Sequence, residues 1–284
     1  MAGNEFYLYH PSLAAAIIFL VIFLVSAAVH GWQIVKSKNW YFIPFLVGCL
    51  VEAIGFAGRA IGAKETPDWT MGPFVIQALL LLLGPTLFAA SIYMVLGRLI
   101  TLLEADKHSL IRPSWLTKFF LLGDIISIAA QGIGGGKLSS AETPGDRKSG
   151  ENIIIVGLAV QILFFGLFMT VTFIFHRRIN REPTPRSLSI SAPWRRLLTV
   201  LYTTSLFILI RSVFRMIEYV MGHDGELQSK EVYIYVFDAM LMTLVAIIFN
   251  VFHPSKTITP PGKDRIHSAD SEMQLGSYGH VSSA

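Results

Sequence analysis

Apolar side chains are concentrated in seven stretches of the chain, and short polar segments separate these stretches. The apolar spans cover residues 12–35, 40–63, 72–100, 115–136, 152–175, 196–221 and 232–252. Most of them approach or exceed the roughly 18–25 residues that an α-helix needs to cross a hydrocarbon layer about 30 Å thick. The pattern predicts an all-α fold, a polytopic membrane protein with seven transmembrane helices.

The composition supports this prediction. Apolar residues make up 53% of the chain and charged residues only 15%, compared with roughly 45–50% and 25% in soluble domains. A soluble enzyme, a collagenous chain and a nucleic-acid-binding domain are therefore disfavoured. Cys49 is the single cysteine, so no disulfide within the chain is expected. The first apolar span is longer than the core of a signal peptide, and we interpret it as a helix.

The distribution of Lys and Arg between the loops predicts the orientation. Fifteen of the 23 basic residues fall in segments 36–39, 98–118, 176–196 and the tail, whereas five fall in the segments on the opposite side. Basic residues are enriched in cytoplasmic loops. The N-terminus is therefore expected outside and the C-terminus in the cytosol. The basic segment 177–196 predicts contact with anionic lipid headgroups at the cytosolic face, unless it only determines topology.

A change in composition predicts the domain boundary. Residues 1–254 form the predicted seven-helix domain, and residues 255–284 are rich in Ser, Gly, Pro and mixed charge. Segments of this composition cannot bury enough apolar surface to fold alone. We therefore expect a disordered cytoplasmic tail.

Ionisable residues inside the spans are the main functional signal, because each one costs at least about 2.5 kcal/mol at mid-helix. They recur at helical spacing, so each of four helices carries one polar stripe. Such stripes face the bundle interior or water. The stripes are Glu52, Gly55 and Arg59; Asp124, Ser127, Gln131 and Gly134; Arg211, Arg215, Glu218 and Gly222; and Glu231, Tyr235 and Asp238.

The predicted topology places most of these side chains in the outer half of the membrane, at a rise of about 1.5 Å per residue. This arrangement predicts a polar cavity that opens toward the exoplasmic leaflet. The candidate ligand-binding residues are Glu52, Arg59, Gln77, Asp124, Gln131, Gln161, Arg211, Arg215, Glu218, Tyr235 and Asp238.

Counting charges within the spans leaves one carboxylate unmatched. Four acids, Glu52, Asp124, Glu218 and Asp238, accompany three arginines. The unmatched acid is expected to hold a proton or to meet a cation. We choose Asp238 as the contact for an amine headgroup, because its helix carries no arginine.

Two alternatives to this assignment stay open. In the first, the charged residues form a network that only fixes helix packing, with Arg59 bridging to Asp124 or Glu218. In the second, Asp238 pairs with Arg59 or Arg211, and another acid is protonated.

Four stretches of the spans form distinctive motifs. They are Glu52-x-x-Gly55-Phe56-x-x-Arg59, Gly84-Pro85-Thr86-Leu87-Phe88-Ala89-Ala90-Ser91-Ile92-Tyr93-Met94, Asp124-x-x-Ser127-x-x-x-Gln131-x-x-Gly134 and Arg211-Ser212-x-Phe214-Arg215-x-x-Glu218. These stretches resemble the fungal RTA-like family, a group of seven-helix proteins also called lipid-translocating exporters. The resemblance covers residues from about 8 to 254. It implies a fungal membrane protein connected with sphingoid-base release, resistance to sterol-like toxins or, in one branch, porphyrin uptake.

Two other motifs have ordinary explanations. The glycines at 132–136 precede Lys137, but Leu138 stands where a phosphate loop needs Ser or Thr. We interpret these glycines as a flexible helix end and predict no cofactor. Pro85 lies in mid-span and predicts a kink in the third helix.

Three histidines at the cytosolic ends of the helices, His30, His176 and His253, raise a different class of function. Three imidazoles can ligate zinc or haem iron, as in a seven-helix, metal-dependent lipid hydrolase. No His-x-x-x-His pair occurs, however, and satisfied histidines at the membrane interface are the simpler interpretation.

The sequence as a whole favours a protein that binds membrane lipids or other amphiphiles. We expect it to translocate or release a sphingoid base or sterol-like compound, and to be located in the plasma membrane. The alternatives are the lipid hydrolase, a lipid-sensing receptor or regulator, and porphyrin or haem transport. No catalytic residue is predicted.

Overall fold

The computed structural model describes residues 9–66, 69–141, 143–190, 192–222 and 225–258. These residues form seven long helices, each long and apolar enough to cross a membrane, and no β-strand. The predicted fold class is therefore confirmed. The helices are α1 (Leu13–Ser37), α2 (Ile43–Lys64), α3 (Met71–Leu102), α4 (Pro113–Ser139), α5 (Pro144–Arg181), α6 (Trp194–Met221) and α7, which consists of Glu231–Ile234, a π-helical segment Tyr235–Ala239 and Met240–Val251. Residues 259–284, which include most of the expected tail, lie outside the described ranges.

The helices begin where the local sequence provides a suitable first turn. The side chain of Ser12 caps α1 by accepting a hydrogen bond from the backbone N–H of Ala15. The helices α2, α4 and α5 carry proline in the first turn, where its missing N–H breaks no helical hydrogen bond. Hydropathy detects only the apolar part of a helix, so α5 extends beyond the predicted span at both ends.

The helices pack in chain order around a central α3. Each helix contacts its neighbours in the sequence, α7 closes the ring against α1, and α3 also reaches α6 across the middle. Short connections make neighbouring helices antiparallel. One end of the bundle therefore contains the starts of α1, α3, α5 and α7 and the ends of α2, α4 and α6. We call the half of the bundle at this end its N-terminal half, and the other half its C-terminal half.

Aromatic side chains fill the opposite, C-terminal half of the bundle between α2, α3 and α7. Phe45 is the centre of this group. Its ring centroid lies 4.7 Å from that of Phe42, 4.4 Å from that of Phe88 and 5.0 Å from that of Phe249. All four side chains are buried. We call these four residues the aromatic plug.

The glycine-rich segment at 132–136 is helical and lies near the end of α4, while its expected flexibility stays a prediction. The segment lies within α4, which continues to Ser139. A Cβ atom at Gly134 would lie 2.7 Å from the backbone oxygen of Gly150 and 2.6 Å from a side-chain carbon of Ile154. Gly134 therefore allows α4 and α5 to approach closely, as small residues do in membrane helices.

Candidate functional site

A buried ion-pair network joins α6 to α7. Arg211 donates from Nε to Oδ1 of Asp238 at 2.7 Å, and Arg215 donates to the other oxygen of the same carboxylate. Arg215 also donates from Nη1 to Oε2 of Glu218 at 2.9 Å. All four side chains are buried. This α6–α7 network brings together four of the predicted site residues.

Pro85 explains why the network also holds α3. A proline in a helix has no N–H, so the carbonyl four residues earlier loses its helical hydrogen bond. That carbonyl belongs to Leu81, and Nη2 of Arg211 donates to its oxygen at 2.6 Å. The proline that predicted a kink thus exposes a backbone acceptor for a buried arginine.

The π-helical segment Tyr235–Ala239 contains both predicted site residues of α7, Tyr235 and Asp238. Its wider turn is closed by a hydrogen bond from the N–H of Met240 to the carbonyl of Tyr235, five residues earlier. Such segments occur frequently at functional sites. Hydrophobic periodicity at 3.6 residues per turn gives no signal for this irregularity.

A second network surrounds Arg59 at the N-terminal end of the bundle. Its guanidinium donates to Oε1 of Glu231 at 2.8 Å, to the hydroxyl of Tyr235 at 3.0 Å and to the hydroxyl of Tyr9 at 2.9 Å. Oε1 of Glu231 also accepts from the backbone N–H of Ser12. We call this group the Arg59 network; it ties α2 to α7 and to the start of α1.

The partner of Arg59 corrects the sequence interpretation. Arg59 pairs with Glu231, and no contact with Asp124 or Glu218 is found in the described residues. Glu231 was absent from the predicted site set, although it lies one helical turn before Tyr235 on the same stripe. Its place near the start of α7 made it resemble an ordinary boundary charge.

The unmatched carboxylate is also not the one predicted. Asp238 contacts two arginines, so its choice as the free acid is wrong, and the alternative pairing with Arg211 is confirmed. Glu52 and Asp124 are each 1% exposed, and neither forms an ion pair among the residues that the structure describes. Oε1 of Glu52 and both carboxylate oxygens of Asp124 have no hydrogen-bond partner there.

Asp124 belongs to a polar group between α3, α4 and α5. It lies beside the hydroxyl of Tyr93, which comes from the glycine-proline stretch of α3 and was not predicted as a site residue. One turn further along α4, the hydroxyl of Ser127 donates to the carbonyl of Gly157 at 2.7 Å. Nε2 of Gln131 donates to Ser127 Oγ at 2.6 Å and to Oε1 of Gln161 at 3.2 Å.

Nine of the eleven predicted site residues therefore belong to three groups, and Glu52 and Gln77 lie outside these groups. Gln77 is buried near the start of α3, where its backbone lies close to Gly58 of α2. Ten of the eleven residues are buried and Tyr235 is partly buried. Their side chains fill the interior by contacting one another. The polar interior is thus closed in this conformation, and its opening toward one face stays a prediction.

The three histidines do not come together. The rings of His30 and His253 lie 6.0 Å apart, whereas the His176 ring lies beside Tyr202 at 5.8 Å. In residues 9–258, apart from the short undescribed gaps, no three His, Cys, Asp or Glu side chains are grouped as metal ligands. The three-histidine metal site is not formed in these ranges.

These features define an integral membrane protein, a seven-helix bundle with charged networks buried in one half and aromatic rings in the other. The family described as RTA1 like protein matches residues 45–260. The chain belongs to this RTA1-like family, and the resemblance seen in the motifs is confirmed.

Curated relatives agree with the family assignment. The chain is 36% identical over 297 residues to Protein RTA1 of Saccharomyces cerevisiae, covering 96% of this chain and 90% of the relative. Protoporphyrin uptake protein 1 of the same species is 36% identical over 285 residues, covering 88% and 92%. Sphingoid long-chain base transporter RSB1, also from S. cerevisiae, is 26% identical over 276 residues, covering 86% and 72%. No solved structure matches the chain.

Proposed function

We propose that this protein binds an amphiphile, a sphingoid base or a sterol-like compound, and translocates or releases it across the plasma membrane. The names of relatives support transport of lipids or related compounds, since they include a sphingoid long-chain base transporter and a lipid-translocating exporter-like protein. Binding and transport without covalent chemistry are sufficient for this role.

The observation that carries the proposal is the buried charge in the N-terminal half of the bundle. Three arginines and the carboxylates around them are buried or partly buried among helices that are long and apolar enough to cross a membrane. Such groups are expensive in a membrane and mark substrate pathways. The headgroup enters the α6–α7 network and the Arg59 network, while the tail stays between apolar helix faces. The eleven residues predicted from the sequence, together with Glu231, form the proposed headgroup site.

The aromatic plug supports access from one side. Phe42, Phe45, Phe88 and Phe249 are each fully buried; Phe45 stacks on Phe42 and Phe88 and meets Phe249 edge to face. Close-packed rings leave little room for a headgroup between these three helices. The proposed entry is therefore from the N-terminal end, which the loop charges predict to lie at the exoplasmic leaflet.

The test compares two matched tyrosine variants of α7. Tyr235→Phe removes the hydroxyl that contacts Arg59 and Glu231, whereas Tyr233→Phe makes the same change two residues earlier. Loss of one hydrogen bond costs about 0.5–1.5 kcal/mol. We expect Tyr235→Phe to weaken binding of sphinganine to nanodisc-embedded protein about two- to tenfold and to slow its movement between liposome leaflets.

The control variant Tyr233→Phe should bind and move sphinganine like the wild type. If wild-type protein neither binds nor moves the lipid beyond empty nanodiscs and liposomes, the proposed function is wrong. If both variants behave alike, the headgroup does not occupy the Arg59 network.

A second candidate cargo is a porphyrin. Protoporphyrin uptake protein 1 is more similar to this chain, at 36% identity, than the sphingoid base transporter is, at 26%. Porphyrin carboxylates would use Arg59, Arg211 and Arg215 in place of the acids. Protoporphyrin is therefore included in the same binding assay, and its binding in preference to sphinganine would favour this cargo.

A further inference from the structure

Glu52 is one of two buried carboxyl groups that the two networks leave without an ion-pair partner in the described residues. It lies in the middle of α2, 1% exposed, and its Oε1 has no hydrogen-bond partner among the described residues. The structure makes room for it at Gly84 of α3, where a Cβ atom would lie 2.4 Å from Oε1. The carboxylate thus rests on the backbone of α3, next to the proline that releases Leu81.

The charged groups that face Glu52 come from two other helices. Arg211 and Arg215 of α6 and Asp238 of α7 act on it electrostatically, and Cys49 lies one turn away on α2. Both arginines are already bonded to Asp238, and Arg215 also to Glu218. Neither arginine is therefore paired with Glu52 alone.

Charge balance follows from these contacts. The two arginines are neutralised by Asp238 and Glu218, so an ionised Glu52 leaves this part of the bundle with one negative charge. An uncompensated charge in a low-dielectric interior is costly. Glu52 must therefore hold one positive charge, either a proton on its carboxyl group or the cationic headgroup of a ligand.

We propose that Glu52 exchanges a proton for the ammonium group of an amine-bearing amphiphile, so that the protein works as a proton/amine antiporter. This inference rests on the proposed function and adds the cargo's charge and the energy source. When the cation binds, the O–H bond of the Glu52 carboxylic acid breaks, the proton passes to water and the carboxylate pairs with the ammonium. Charge is conserved, because one monovalent cation replaces one proton.

The exchange supplies a driving force without an ATPase. A one-for-one exchange carries no net charge, so it depends on the pH difference across the membrane and not on the voltage. The amine moves toward the more acidic side and accumulates there about tenfold for each pH unit at equilibrium.

The experiment measures binding and proton release together. The probe is a single-chain alkyltrimethylammonium, whose fixed charge excludes both its own titration and leakage as a neutral amine. The neutral comparison is an alcohol of the same chain length. Protein in nanodiscs is titrated in weakly buffered solution containing a pH indicator. Wild-type protein should release one proton per bound cation, and its affinity for the cation should rise with pH by up to about tenfold per unit for as long as the unliganded carboxyl group is protonated.

Two variants locate the effect. Glu52→Gln cannot exchange a proton and should bind the cation at least tenfold more weakly, with no dependence on pH. Glu182→Gln makes the same change at an exposed site and should behave like wild type.

Each outcome has a defined meaning. If wild-type protein binds the cation without releasing a proton, or binds the alcohol equally well, the antiport inference is wrong although amphiphile binding stands. If proton release persists in Glu52→Gln, Glu52 is not the exchanging group. If neither probe nor sphinganine binds, the proposed function itself fails. The wild-type measurement decides the question even if Glu52→Gln does not fold.

Discussion

At the scale of single residues, the interior is controlled by the requirement that buried charges meet partners. Arg211 donates hydrogen bonds to one carboxylate oxygen and one backbone carbonyl, and Arg215 donates hydrogen bonds to two carboxylates. Removing one member leaves the others charged in a medium that does not solvate them. A surface arginine of the same helix has water as a substitute partner.

We therefore expect Arg215→Ala to be much more disruptive than Arg195→Ala. Removal of the Arg215 side chain leaves the carboxylates of Glu218 and Asp238 without its positive charge, which lowers the stability of the protein by about 3–5 kcal/mol. Arg195 is exposed near the start of α6, beside the ring of Trp194. Thermal unfolding and surface expression of the two variants provide the measurement. Equal stability of both would contradict the α6–α7 network.

At the scale of helices, small residues and proline determine how closely the elements approach. Pro85 leaves the carbonyl of Leu81 in α3 free to accept a hydrogen bond from α6. Gly84, which has no side chain, allows the carboxyl group of Glu52 to lie against the backbone of α3. Gly134 of α4 contacts Gly150 of α5, so this pair is closely apposed. These contacts depend on which face of each helix meets its neighbour, which glycine content alone does not specify.

Two glycines of the same segment, Gly132 and Gly134, are expected to respond differently to substitution. A methyl group at Gly134 would collide with the backbone of α5, whereas at Gly132 it would meet nothing within 4 Å. We expect Gly134→Ala to destabilise the protein by about 1–3 kcal/mol, as overpacking does, and Gly132→Ala to have little effect. Thermal melting in detergent measures the difference. Similar melting temperatures for both variants would show that α4 and α5 can move apart without loss of stability.

At the scale of the whole molecule, the two buried charge networks lie in the N-terminal half of the bundle and the aromatic plug lies in its C-terminal half. The proposed direction of access depends on which half faces outward. The predicted orientation rests on fifteen basic residues in one set of loops against five in the other.

Impermeant thiol labelling of intact cells tests this orientation. In a Cys49→Ala background, Ser140→Cys should be labelled from outside, because it lies at the end of α4 in the N-terminal half. Ser189→Cys, in the short helix Pro185–Ser189 between α5 and α6, should be labelled only after permeabilisation. The opposite pattern would turn the polar half toward the cytosol and reverse the proposed access.

The sequence by itself determined the seven helices, their approximate limits and the polar stripes that face inward. Hydrocarbon allows only helices whose backbone is satisfied internally and penalises every charge that points toward lipid, so both features follow from the order of residues alone.

The pairing of the charges was decided only by the tertiary structure. Asp238 and Glu52 each lie on a polar stripe, yet α6 meets Asp238 with two arginines while Glu52 faces the backbone of α3. Helical spacing gives the face on which a residue lies. It does not give the neighbouring helix, its rotation or its depth, nor the π-helical turn and the freed carbonyl of Leu81 that shape the α6–α7 network. Those depend on how all seven helices pack together, because a long side chain bonds with whichever polar group comes within about 3 Å.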